Sequence, residues 1–168
     1  MSHSRLAVII ILGAVCVFPS LALGQQSQTP RQKQAAAEYR LGDASWAEGR
    51  PAEALEHFRK VLKLVPDHVK AMVDAAWLLA CVPEEEPIRD SREAVALARR
   101  ATELTDKRDV AALDALAAAL ASSGAFEEAV ATAEAALRLN PPGALEDAIR
   151  SRQEIYRRGY TYIVLDPR

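Results

Sequence analysis

Internal self-similarity constrains this chain of 168 residues more than any other feature of its sequence. A shift of 75 residues superimposes six small or apolar positions: Leu41, Gly42, Gly49, Ala54, Val61 and Pro66 fall on Leu116, Ala117, Gly124, Ala129, Ala136 and Pro141. Each copy has apolar residues at helical spacing, a glycine where the chain turns, and a proline just past a second helix. The sequence therefore predicts repeated pairs of antiparallel helices.

Composition favours the same interpretation. Half of the residues are apolar but only 5% are aromatic, and alanine runs supply much of the remainder. Alanine has the highest helix propensity and lets helices approach closely. We therefore expect an all-α protein.

A stretched copy lies between the two matching ones. Its helices are predicted over 69–81 and 91–104, and an acidic loop bracketed by prolines, residues 82–90, replaces the short turn. Asp90 followed by Glu93 predicts a capping box at the start of the second helix.

The helix pairs resemble the tetratricopeptide repeat, a helix-turn-helix unit of about 34 residues. Residues 35–68 carry Leu41, Gly42, Gly49, Phe58 and Pro66 at the spacing of that pattern. Residues 110–143 match it with Ala117 and Ala133 in place of the family's glycine and phenylalanine. The resemblance implies a short α-solenoid of three such pairs, over 35–68, 69–109 and 110–143, with an extended loop in the middle pair.

Both ends of the chain lie outside the repeats. Residues 144–168 are predicted to form a capping helix over 144–158, which covers the apolar end of the stack, and a β-rich tail over 160–165. Residues 1–24 have the basic start, apolar run and small residues of a bacterial secretory signal peptide, and 25–34 are predicted to be a flexible leader. An uncleaved membrane anchor is the alternative to the signal peptide.

Removal of residues 1–24 leaves Cys81 as the one cysteine of the mature chain. We expect a packed thiol there, with a bridge to a second chain as the alternative.

The resemblance also implies a concave groove lined by the first helix of each repeat. Carried over position by position, the groove residues are Tyr39, Asp43, Trp46, Lys70, Val73, Trp77 and Asp114. Rigid aromatic side chains recur at binding hot spots, so Tyr39, Trp46 and Trp77 are the predicted anchors. Alternatively, the tail or leader folds over these aromatics, or they complete the packing between repeats. Some family members bind the C-terminal carboxylate of a partner with Lys and Asn residues in the groove. This sequence has Tyr39 and Asp43 where that site would need them, so this binding mode is not assumed.

No motif in the sequence indicates catalysis or the binding of a metal or cofactor. The sequence has no nucleophile paired with a base, no metal-ligand spacing and no glycine-rich phosphate loop, so we expect no enzyme, metal or cofactor. A net charge of −2 gives no basic field for nucleic acid.

These observations predict a monomeric, non-catalytic adaptor or scaffold, periplasmic or secreted, that binds a peptide or helix of a partner protein. An accessory subunit of a membrane-bound or periplasmic enzyme, such as one of glycan metabolism, is the main alternative. A self-assembling structural repeat is the third.

Overall fold

The computed structural model describes residues 29–83 and 86–164, and these ranges hold seven α-helices and no strand. The helices are α1 (Pro30–Ala47), α2 (Pro51–Leu64), α3 (Val69–Cys81), α4 (Ser91–Leu104), α5 (Val110–Ser122), α6 (Phe126–Leu137) and α7 (Gly143–Arg157). The predicted signal peptide lies outside the described residues.

The first helix begins earlier than predicted. The prediction of a flexible leader through residue 34 is wrong for the last five of these residues, because α1 starts at Pro30. The Thr29 hydroxyl accepts from the Gln32 amide while the Gln32 side chain accepts from the Thr29 amide, and proline occupies the first turn. This capping box satisfies amides at the helix start that would otherwise lack partners.

The helices form three antiparallel pairs, α1/α2, α3/α4 and α5/α6, stacked in chain order, and α7 packs on α6 and α5. The architecture is the predicted short α-solenoid with a capping helix. Gly49 and Gly124 turn the first and third pairs at φ +73° and +85°, where a side chain would be strained. Alanines such as Ala75, Ala98, Ala115 and Ala129 are completely buried, so the helices approach closely along the core.

The extended loop of the middle pair is anchored at both ends. The Arg89 guanidinium donates to the Val82 carbonyl at 2.5 Å, and the Asp90 amide donates to the Leu79 carbonyl at 3.1 Å. The Asp90 carboxylate accepts from the Arg92 and Glu93 amides, so the predicted cap of α4 is present.

The segment after α7 is not a strand in its described part, residues 160–164. None of the described residues offers a strand edge with which it could pair. Instead, the Val164 amide donates to the Cys81 carbonyl at the end of α3, at 2.8 Å. The tail is therefore held against the middle repeat.

Candidate functional site

Tyr39 links the first two repeats on the groove side. Its hydroxyl donates to the Asp74 carboxylate and accepts from the Lys70 ammonium. Its ring lies against Phe58 and His68, each at 5.5 Å between ring centroids. Burial, with the carboxylates of Asp74 and Asp43 nearby, raises the pKa of Tyr39, so the hydroxyl stays protonated and able to donate.

A cavity of about 300 Å³ opens next to this network, between α1 and α3. The residues that line it combine aromatic and aliphatic walls with two carboxylates: Asp43, Trp46, Phe58, Asp74, Trp77, Leu78 and Val164. Trp46 and Trp77 are half-buried, so part of each indole faces the cavity and part packs on the core. A concave, mostly apolar site with a few polar groups is the usual form of a ligand pocket.

A second, open concavity lies on the other side of Tyr39. Its residues are mostly basic: Lys33, Ala36, Tyr39, Arg40, His68 and Lys70. The groove therefore changes from a positive edge at the start of α1 to a negative, aromatic cavity further along.

Trp77 is partly covered by the chain's own C-terminal segment. The Tyr162 ring meets the indole edge-on at 6.3 Å between centroids, and the Arg152 guanidinium lies 5.3 Å from the indole centroid. The tail alternative raised by the sequence therefore applies at Trp77, and Val164 of the tail also lines the cavity that contains Trp46.

Asp114 forms an ion pair with the capping helix α7. Its carboxylate accepts two hydrogen bonds from Arg152 of α7, at 3.1 Å from Nε and 2.5 Å from Nη2. The two side chains are only 6% and 12% exposed. Desolvation raises the pKa of Asp114, and the Arg152 charge opposes that shift without cancelling it.

The remaining residues named from the sequence divide between core and surface. Val73 is buried in the core, while Lys70 and Asp43 are exposed. The structure thus brings Tyr39, Asp43, Trp46 and Lys70 together at the open half of the groove, and it closes the half that contains Asp114.

Sequence reasoning missed Asp74 and Arg152. Asp74 follows directly after the predicted groove residue Val73, and only the three-dimensional structure shows that its carboxylate contacts Tyr39. Arg152 left a signal, because it stands on the same helix face as the buried Ile149, Gln153 and Tyr156. A charged residue on an apolar face indicates a buried partner.

Cys81 is buried as a free thiol. Desolvation raises its pKa to about 12, so the thiolate is disfavoured.

Across residues 29–83 and 86–164 no group of three or more His, Cys, Asp or Glu side chains is placed to hold a metal ion. Within the same ranges no helix combines the length and apolarity needed to cross a bilayer.

Comparison with family models identifies the repeats. Two tetratricopeptide-repeat models match, one over residues 35–68 and the other over 112–145. The chain therefore contains tetratricopeptide repeats at both of these segments. No characterised protein matches its full sequence significantly.

Solved structures share the fold at low sequence identity. An O-GlcNAc transferase mutant from Thermobaculum terrenum superimposes with a TM-score of 0.60 and 22% identity over 69% of this chain, which spans only 21% of the transferase. The TPR2B domain of yeast Sti1, in complex with pHsp70, gives 0.61 and 19% over 76% of this chain and 96% of the domain. The first TPR domain of Spaghetti (RPAP3), bound to an HSP90 peptide, gives 0.58 and 18% over 71% of this chain and 92% of that one.

Proposed function

We propose that this protein is a non-catalytic adaptor of the bacterial cell envelope, which binds a segment of a partner protein in the groove between α1 and α3. The observation that carries the proposal is the cavity with Trp46 and Trp77 in its walls. Half-buried indoles provide large contact area and lose little conformational entropy on binding.

The fold neighbours support this choice of activity. Two of the similar structures are repeat domains of comparable size that were solved with Hsp70 or HSP90 partners. At 19% and 18% identity these structures are similar to this chain in architecture alone. The partner of this chain therefore has to be inferred from the residues of its own groove.

Selection of peptides from a random display library against residues 25–168 tests the proposal. Peptides that are enriched should bind the wild-type protein, and Trp46→Ala should weaken them about thirtyfold or more, as loss of a hot-spot aromatic does. Leu41→Ala is the matched control, because Leu41 lies on the same helix, is 51% exposed and does not line the cavity.

Failure of the selection, or peptides that bind the Trp46→Ala variant as tightly as the wild type, would contradict groove binding. The Tyr39→Ala, Trp46→Ala double variant should lose more affinity than either single change. Its helical circular dichroism shows whether the fold survives.

The envelope location is proposed from residues 1–24, whose sequence has the features of a signal peptide. Intact-mass analysis of the protein from its native host should give a chain that starts near Gln25. A chain that retains Met1 or Ser2 in the membrane fraction would instead support an N-terminal anchor.

A second candidate is an accessory subunit of an envelope enzyme. It is favoured by the likeness to a segment of a glycosyltransferase, of which this chain would correspond to the helical part alone. Recovery of one stoichiometric enzyme on the immobilised protein, with a rate that changes when the protein is added, would favour this candidate over a passive adaptor.

A further inference from the structure

The protein's own Arg152 shows what kind of group the groove accepts. The Arg152 guanidinium is held by two hydrogen bonds to Asp114 of α5, and it lies 5.3 Å from the Trp77 centroid. A carboxylate on an inner helix and an indole therefore form a site for a planar cation.

The neighbouring cavity offers the same two components, carboxylates and indoles, and no arginine of residues 29–83 and 86–164 lines it. Asp43 of α1 and Asp74 of α3 supply carboxylates, and Trp46 and Trp77 supply indoles. Asp43 forms no ion pair with any residue in the described ranges. Asp74 accepts from Tyr39 and, at 3.3 Å, from Lys70, whose side chain is 65% exposed and therefore well screened by water.

We propose that this cavity receives an arginine side chain of the partner segment, with the guanidinium between the carboxylates of Asp43 and Asp74 and against the indole of Trp46. This inference rests on the proposed function and specifies the chemistry of its ligand. The volume of about 300 Å³ lies at the small end of ligand pockets, which suits one long side chain.

Charge and shape both select arginine. An acidic side chain would bring a third carboxylate close to Asp43 and Asp74, which is repulsive in a partly desolvated site. A guanidinium is planar, less strongly hydrated than an ammonium, and able to stack on an indole while it donates to two carboxylates. Lysine can supply the charge but not the stacking.

The experiment uses a series of capped pentapeptides, acetyl-Gly-Leu-Xaa-Leu-Gly-amide, in which Xaa is arginine, lysine, citrulline or glutamate. Binding to residues 25–168 is followed by tryptophan fluorescence. We expect the arginine peptide to bind about tenfold more tightly than the uncharged citrulline peptide, and its affinity to fall with added salt. The glutamate peptide should bind least.

Charge-neutral variants test the residues. Asp43→Asn and Asp74→Asn should each reduce the affinity for the arginine peptide about three- to tenfold and leave citrulline binding unchanged. Asp147→Asn is the matched control, because it removes the same charge from an exposed position on α7. Equal binding of the arginine and citrulline peptides, or no effect of either groove variant, would overturn the inference.

The peptides enriched by display selection separate this inference from the proposed function. Peptides that require Trp46 and share an arginine support both. Peptides that require Trp46 but lack arginine and lysine leave the adaptor function standing and overturn the inference. A chain shortened to end at Val164 is the last control: arginine binding that appears only after this truncation would identify the chain's own last residues as the occupant and overturn the proposal.

Discussion

At the scale of single residues, the first repeat is fitted around the contact between Gly42 and Phe58. A Cβ atom built on Gly42 would lie 2.6 Å from Cε1 of Phe58, whose side chain is almost completely buried. The third repeat has Ala117 and Ala133 at the corresponding positions, so it combines a larger residue in the first helix with a smaller one in the second. Both pairs of helices fill the space between the two positions, but the side-chain volume is distributed differently between the first and the second helix.

Gly42→Ala should therefore destabilise the protein by about 1–3 kcal/mol, because the buried ring has little room to move. Urea unfolding followed by circular dichroism measures the change. Gly143→Ala is the control, since a Cβ there meets nothing within 4 Å and alanine is the better helix former. In a Phe58→Leu background the added cost of Gly42→Ala should shrink; an undiminished cost would show that the ring is not its source.

At the scale of secondary-structure elements, the helix positions and the packing of the last helix on the last repeat followed from the sequence, while the ion pair of that helix did not. Glycine turns, the Asp90 cap and apolar spacing are local signals, and they predicted α3 and α4 with the observed bounds. The start of α1 was missed because residues 30–34 lack apolar spacing, although Thr29 and Gln32 have the separation of a capping box and Pro30 follows directly. The place of Arg152 on an apolar helix face indicates a buried partner, but Asp114 lies 38 positions away, so no local pattern identifies it as that partner.

Removal of the arginine from this ion pair tests what holds α7 in place. Arg152→Met should lower the free energy of unfolding by about 3 kcal/mol at pH 7, because it leaves the Asp114 carboxylate buried without its partner. Arg150→Met is the control on the same helix, since Arg150 pairs with Glu146 at the surface and should change stability by less than about 1 kcal/mol.

The pH dependence gives an independent check on Arg152→Met. Desolvation already raises the pKa of Asp114, and the variant lacks the arginine that opposes this shift. The folded state then binds the proton more tightly than the unfolded state, whose aspartate pKa is about 3.9, so stability is lost as the pH rises through the folded pKa. The deficit of the variant should be largest at pH 7 and should shrink as the pH falls towards about 4; a constant deficit would contradict this account.

At the scale of the whole molecule, the groove is half closed by the chain itself. Arg152 and Tyr162 contact Trp77, and Val164 lines one wall of the cavity between α1 and α3, which is the part of the groove that stays open. The family resemblance predicted Tyr39, Trp46 and Trp77 as anchors in the groove. It could not show which of them the tail covers, because that depends on where α7 ends relative to α3.

A chain that ends at Gly159 should expose Trp77. In a Trp46→Phe background, where Trp77 is the one remaining tryptophan, its emission should shift to longer wavelength and acrylamide should quench it more strongly. We expect stability to fall by about 1–2 kcal/mol, from loss of the Tyr162 contact and the hydrogen bond to Cys81. Tyr160→Ala should change neither property, since Tyr160 is an exposed side chain. Unchanged emission after truncation would show that the tail does not cover Trp77.

Chemical-shift mapping with a display-selected peptide tests the central claim, that the groove between α1 and α3 is the binding surface. The chain has two tryptophans, so two indole N–H signals report on the cavity directly. We expect the signals of the Trp46 indole and of the backbone amides of α1 and α3 to shift on binding, while those of α4 and α6 stay in place. Shifts confined to α4, α6 or the loop over residues 82–90, with both indole signals unmoved, would contradict it.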